Sequence, residues 1–200
     1  MLKKEAKEIT GGLSAPGKMP EGSYNIPASA CQTGQILAKV EGTPCSGCYA
    51  LNRGRYRFKK TKNAMARRLK SLTHPRWVEA MTTLVKKKKH FRWHDSGDIQ
   101  SVKHLINIFE VCKNTPGTSH WLPPREAGLM KVINPEAIPK NLIIRMSSHR
   151  IDQKPVKFWP WTSTVSTGSV TCPASKQGHQ CKSCRNCWNR EVANVSYPKH

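Results

Sequence analysis

Apolar residues recur at helical spacing in some stretches and cluster in short strand-like runs in others, and the alternation of the two sets the expected fold. Residues 62–72 and 75–88 read as helices. In the second, Trp77, Val78, Met81, Leu84 and Val85 supply one apolar face, Thr73 stands as N-cap and Pro75 lies near the first turn. Lysines 86–89 close that helix at the end where positive charge complements its dipole. Residues 90–94 then read as a strand. A helix is expected over 99–113, with Val102, Leu105, Ile106 and Phe109 turned inward and Cys112 as a small buried neighbour. Further strands are expected at 119–122, 142–146 and 162–166, and a short helix at 126–133 stopped by Asn134-Pro135.

Strand-like and helix-like segments in alternation imply an α/β fold: a partial barrel or an open, mostly parallel sheet with helices, plus cysteine-rich metal-binding loops in the N- and C-terminal parts. Residues 1–30, rich in Gly, Pro and Lys, read as an irregular lead-in. Residues 31–200 form the expected single α/β domain, with a cysteine-rich metal segment at 172–188. The expected strands end in polar clusters: His94-Asp95-Ser96-Gly97-Asp98, then Arg125-Glu126, then Ser147-Ser148-His149-Arg150. Function collects at the carboxyl ends of parallel strands, so His94, Asp95, Asp98 and Arg125 are the catalytic candidates. Helix capping is the plainer reading of Asp98 and Ser96, although His-Asp-x-x-Asp holds more ionisable groups than one cap requires.

Charge sharpens the picture. In 200 residues, 34 Lys and Arg face 12 Asp and Glu, a formal net of +22. The polyanion that such a surface meets in a cell is nucleic acid, DNA or RNA, bound through phosphates. Arg53, Arg55, Arg57, Lys59 and Lys60 form a basic stretch with Tyr56 and Phe58 interleaved, and aromatics among cations can stack on bases. A solvated basic face is the alternative reading of the same run. The amino-terminal stretch lacks the apolar core of a signal peptide and no apolar run approaches membrane-spanning length, so the expectation is a protein of the host cytoplasm with no membrane partner.

In a reducing compartment, closely spaced cysteines point to metal rather than to disulfides. Cys172, Cys181, Cys184 and Cys187 include an unbroken Cys-x2-Cys-x2-Cys run, and four soft thiolates suit zinc or an iron–sulfur cluster. Trp188 directly follows and can shield such a centre. Cys31, Cys45 and Cys48 form a looser set. Three protein ligands leave a coordination position open for water or substrate, unless a fourth arrives from His94, His179, Cys112 or the C-terminal cysteines. The phosphate loop G-x-x-x-x-G-K-[ST], the elbow G-x-S-x-G and the zinc signature H-E-x-x-H are missing. The deaminase pattern is represented only by the second half of its motif, in Pro44-Cys45-Ser46-Gly47-Cys48.

Several of these motifs together resemble a known family. Cys45-Ser46-Gly47-Cys48-Tyr49-Ala50 with Gly54-Arg55-Tyr56, Arg92-Trp93-His94-Asp95-Ser96-Gly97-Asp98, the C-terminal cysteine segment through Trp188 and the ending Tyr197-Pro198-Lys199-His200 are similar to the bacteriophage gene-product-eighty-eight family. That resemblance implies a phage origin and carries no assigned reaction. Cys45-x2-Cys48-Tyr49 also resembles the end of the three-cysteine loop of radical S-adenosylmethionine enzymes, though the interval from Cys31 to Cys45 is longer than theirs. The second resemblance implies that Cys31, Cys45 and Cys48 hold a [4Fe-4S] cluster and that Asp95, Asp98 and Arg125 face S-adenosylmethionine or substrate. A third expectation, from a different class, is a zinc-stabilised interaction protein that binds a host protein through its basic face.

Overall fold

The computed structural model describes residues 1–199, so His200, the last residue of the closing motif, lies outside it. Seven strands form in chain order: β1 (Ser23–Tyr24), β2 (His90–Trp93), β3 (Ser119–Leu122), β4 (Leu142–Ile144), β5 (Met146–Ser147), β6 (Thr162–Ser166) and β7 (Asn194–Pro198). They pair as β1-β2-β3-β4 and β5-β6-β7, and every pairing is parallel. Only Arg145 separates β4 from β5, and its amide donates to Leu122 O (2.9 Å) while Ser147 N donates to Pro124 O (2.8 Å). One chain segment therefore serves both sheets, and the strands follow one another across them in sequence order.

The helices are α1 (Lys3–Thr10), α2 (Gln32–Leu37), α3 (Tyr49–Asn52), α4 (Lys59–Ser71), α5 (Trp77–Val85), α6 (Val102–Lys113) and α7 (Ala127–Lys131). The mixed α/β architecture with parallel strands agrees with the fold class expected from sequence. Its details differ at several points. The lead-in is not irregular throughout: α1 packs on α5 and α4, and β1 adds an edge strand. Two residues are too few for a periodic signal, so β1 could not be read from the chain. Helix α5 begins later than expected, because the His74 ring accepts the Arg76 amide (3.1 Å) in a turn that displaces Thr73 from the cap. Helix α6 is capped instead by Ser101, whose hydroxyl accepts from His104 N (3.1 Å). Its inner face is His104, Leu105, Ile108, Phe109 and Cys112, while Val102 and Ile106 are exposed.

The sheet is buried on both faces, and alternation along the strands sorts the two. Phe91, Trp93, Leu122, Leu142 and Ile144 join Tyr24, Trp77, Met81, Leu105 and Ile108 in the helix-backed core. Each such side chain contributes about 1.5–3 kcal/mol by leaving water. On the other face Trp121, Ile143 and Val195 pack with Cys187, Trp161, Trp188 and Tyr197, so the C-terminal cysteine segment lies over the sheet. The register Arg92–Trp121–Ile143 runs across three strands on this second face, with the Arg92 guanidinium 4.5 Å from the centre of the Trp121 ring.

Candidate functional site

The carboxyl ends of the strands open into a cavity of about 820 Å³. Its walls carry Cys31, Cys45 and Cys48 from the long β1–β2 connection and Cys172, Cys181 and Cys187 from the β6–β7 connection. Positions far apart in sequence thus meet at one chamber. All eight cysteines carry free thiols.

The β2 ending is built as a turn that aims its acids back at neighbouring segments. His94 adopts φ +54° and Gly97 φ +79°. A side chain at 97 is excluded, since its Cβ would lie 2.9 Å from Ile26 O and 2.2 Å from Ile26 Cγ1. Ser96 O accepts from Ile26 N (3.1 Å), which ties the turn to the chain leaving β1. Asp95, nearly fully buried, is the hub. Its Oδ2 accepts from Tyr56 OH (2.9 Å) and pairs with Arg55, while Oδ1 accepts from Ser14 (3.2 Å) and Ser23. With every lone pair engaged, Asp95 holds the segment after Cys48 against the sheet.

Asp98 accepts the amides of Ile99 and Arg125, each at 2.8 Å. Burial, reinforced by Glu126 and opposed by those amides and the Arg125 charge, pushes its carboxyl up to about 7. Glu126 accepts from the Thr33 amide (3.0 Å) and hydroxyl (2.5 Å), which fixes the start of α2 beside Cys31. Gly34 lies in this first turn because a Cβ there would come within 2.7 Å of Cys31 Cβ. Burial pushes the Cys31 thiol well above its ordinary range, with the Asp98 charge adding to it; burial also raises Cys45, against the pull of Arg125.

The C-terminal set has the opposite surroundings. Burial raises Cys187 to about 11 and raises Cys181, but Lys18 and Arg92 both favour the Cys181 thiolate. Cys187 Sγ lies 3.1 Å from Tyr197 OH. Cys172 and Cys184 act electrostatically on Cys181, and Cys172 and Cys181 on Cys187. Among the described residues, no group of three or more His, Cys, Asp or Glu side chains is placed to hold a metal ion as it stands.

His94 is 4% exposed, neither ring nitrogen has a hydrogen-bond partner among the described residues, and its ring lies 5.2 Å from that of His104. Burial drives its pKa well below the ordinary value. Of the basic run, Arg53 is exposed at the cavity wall, and Arg57, Lys59 and Lys60 are exposed beyond it. Arg55 and Tyr56 turn inward to Asp95, and the exposed aromatic is Phe58, with the Arg57 guanidinium 5.1 Å from its ring centre. His179 is exposed on the cavity wall, and Cys112 is fully buried in the helix-backed core. Sequence reasoning missed Arg92, Tyr197 and Arg145. The sign for two of them was a lone cation inside an apolar strand, in HFRW and LIIRM.

The description Gene product 88 matches residues 1–190, a span that takes in the cysteine motifs and the His-Asp-Ser-Gly-Asp turn. The chain belongs to the gene product 88 family. No curated protein and no solved structure matches it. Chemical meaning for the gene product 88 motifs therefore has to come from the chamber they build. No helix among the described residues is long and apolar enough to cross a membrane.

Proposed function

We propose that this phage protein is a thiolate-metal protein that works on or with nucleic acid in the host cytoplasm, with the cavity at the strand ends as its reaction chamber. One observation carries the reading: six cysteines from two distant connections line the same cavity. Cys31, Cys45 and Cys48 would hold an iron–sulfur cluster or zinc with one position open to the chamber, and Cys172, Cys181, Cys184 and Cys187 would form a second, closed centre. His94, Asp95 and Asp98 line the same cavity, which supports them as the groups nearest a substrate bound there. The net charge of +22 and the exposed Arg57, Phe58, Lys59 and Lys60 support nucleic acid as the partner.

A second reading, an iron–sulfur enzyme of the radical S-adenosylmethionine type, is favoured by the placement of three thiols in the connection leaving the first of a series of sequentially ordered parallel strands. The zinc-stabilised partner of a host protein has no comparable support from the chamber.

Anaerobic purification followed by elemental analysis and absorbance tests the metal. Iron with sulfide and a brown charge-transfer band is the iron–sulfur outcome, and colourless stoichiometric zinc is the other. Metal-free protein that remains so after reconstitution, with an unchanged melting curve, would sink the proposal. Reductive cleavage of S-adenosylmethionine by cluster-loaded protein separates the second reading from the first.

A further inference from the structure

Two guanidinium groups on the chamber wall are left without anions. Arg125 and Arg92 both line the cavity, neither forms an ion pair among the described residues, and the Nε of each is buried with no hydrogen-bond partner. Asp98 takes the backbone amide of Arg125 and not its side chain. Among the described residues, the side-chain hydrogen bond of Arg92 goes to the Met19 sulfur, a weak acceptor. Buried donors of this kind are costly unless something satisfies them, and a guanidinium is shaped to receive the paired oxygens of a phosphate.

Other features of the wall narrow the class of anion. Tyr49 lies on the cavity wall, 39% exposed, its ring supported by Tyr56 at 5.7 Å between centres. An accessible, backed aromatic ring is a stacking platform for a base. The volume of about 820 Å³ falls within the range of small-molecule sites, so one nucleotide unit fits and a paired helix does not. Arg53 on the wall is followed in sequence by exposed Arg57, Lys59 and Lys60, cations available to the rest of a strand.

We infer that the chamber binds a single nucleoside phosphate unit, free or unpaired at a strand, with Arg125 and Arg92 as its phosphate-binding cations and Tyr49 as its base platform. This inference rests on the nucleic-acid reading for the strand source, while the free-nucleotide source stands without it. Each cation also acts on a cysteine set: Arg125 on Cys45, and Arg92 on Cys181 and Cys187.

The test uses the full chain in equilibrium binding with four probes: AMP, inorganic phosphate, a short single-stranded oligonucleotide and its duplex. AMP is expected to bind more tightly than phosphate and to compete with the single strand. Arg125→Gln should weaken AMP and single-strand binding about tenfold to a hundredfold, as expected for loss of a charge-assisted hydrogen bond, with the duplex unaffected. Lys59→Gln with Lys60→Gln should weaken the strand and leave AMP alone. Arg92→Gln and Tyr49→Ala provide the same readout should Arg125→Gln fail to fold. Strand binding that ignores all three chamber variants, together with no AMP binding, overturns the inference and leaves the nucleic-acid reading standing. AMP binding lost in the chamber variants, with no affinity for either polymer, keeps the inference for a free nucleotide and removes the polymer. Equal affinity for AMP and phosphate, or a duplex as sensitive to Arg125→Gln as the single strand, rejects the nucleotide unit.

Discussion

The two cysteine regions are anchored to the strands by charges of opposite sign. Under the C-terminal set lies Arg145, fully buried between β4 and β5 and without a carboxylate partner among the described residues. It donates to the carbonyls of Cys187 (3.0 Å), Asn186 (2.8 Å), Asn189 (2.6 Å) and Val192 (2.7 Å). Beside the N-terminal set the anchors are carboxylates: Asp95, Asp98 and Glu126 accept from hydroxyls, amides and Arg55. A loop that leaves carbonyls free is held by a buried cation, and one that leaves amides free by buried anions. The charges around the thiols differ as well: Asp98 and Glu126 act on Cys31, whereas Lys18 and Arg92 act on Cys181.

Breaking the cationic anchor should cost most. Arg145→Met strands several buried carbonyls, each worth about 1–3 kcal/mol, so a loss of about 3–5 kcal/mol is expected in urea unfolding, with thiol labelling at Cys187 rising before Cys31. Equal, simultaneous exposure of both sets would show that they do not rest on separate anchors.

Acid should act on the core that both regions share. Burial lowers His104 to about 4 and His120 to about 3. Depressed histidines contribute stability that is complete above pH 6.5 and is lost as pH falls, because the unfolded chain takes up protons that the folded one refuses. His104 alone is worth roughly 3 kcal/mol across that window. Asp98, raised from 3.8 to about 7, works in the opposite direction over the whole of it, against the combined pull of the buried histidines. Unfolding measured from pH 7 to 4 should show a net decline, shallower in His104→Gln; a flat profile would refute the neutral buried imidazole.

Weakening the anionic anchors should cost less. Asp95→Asn keeps the shape but leaves Arg55, itself one-third exposed, without its counterion, and a loss of about 2 kcal/mol is expected. Labelling of Cys48 should rise more than that of Cys187 by mass spectrometry. Glu126→Gln, which retains an acceptor for the Thr33 amide, should cost about 1 kcal/mol and loosen only the start of α2, seen as faster amide exchange at Thr33. Faster exchange throughout the C-terminal loop would contradict the separation of the two anchors.

The sequence by itself determined the parallel α/β class, the membership of Cys112 in the core, and the motifs by which the family is recognised, because hydrophobic period and cysteine spacing are local properties. The pattern over 119–122 and 162–166 needed no partner to be legible, and both strands form there. Only the tertiary structure decided that α6 turns Ile108 inward and Ile106 outward, that Tyr56 faces Asp95 instead of solvent, and that two remote cysteine sets share one chamber. Those outcomes depend on which strand lies beside which and on where a buried charge finds its partners. Neither is written in the spacing of residues along a chain, since each becomes fixed only when distant segments compete for the same buried surface and the same hydrogen bonds.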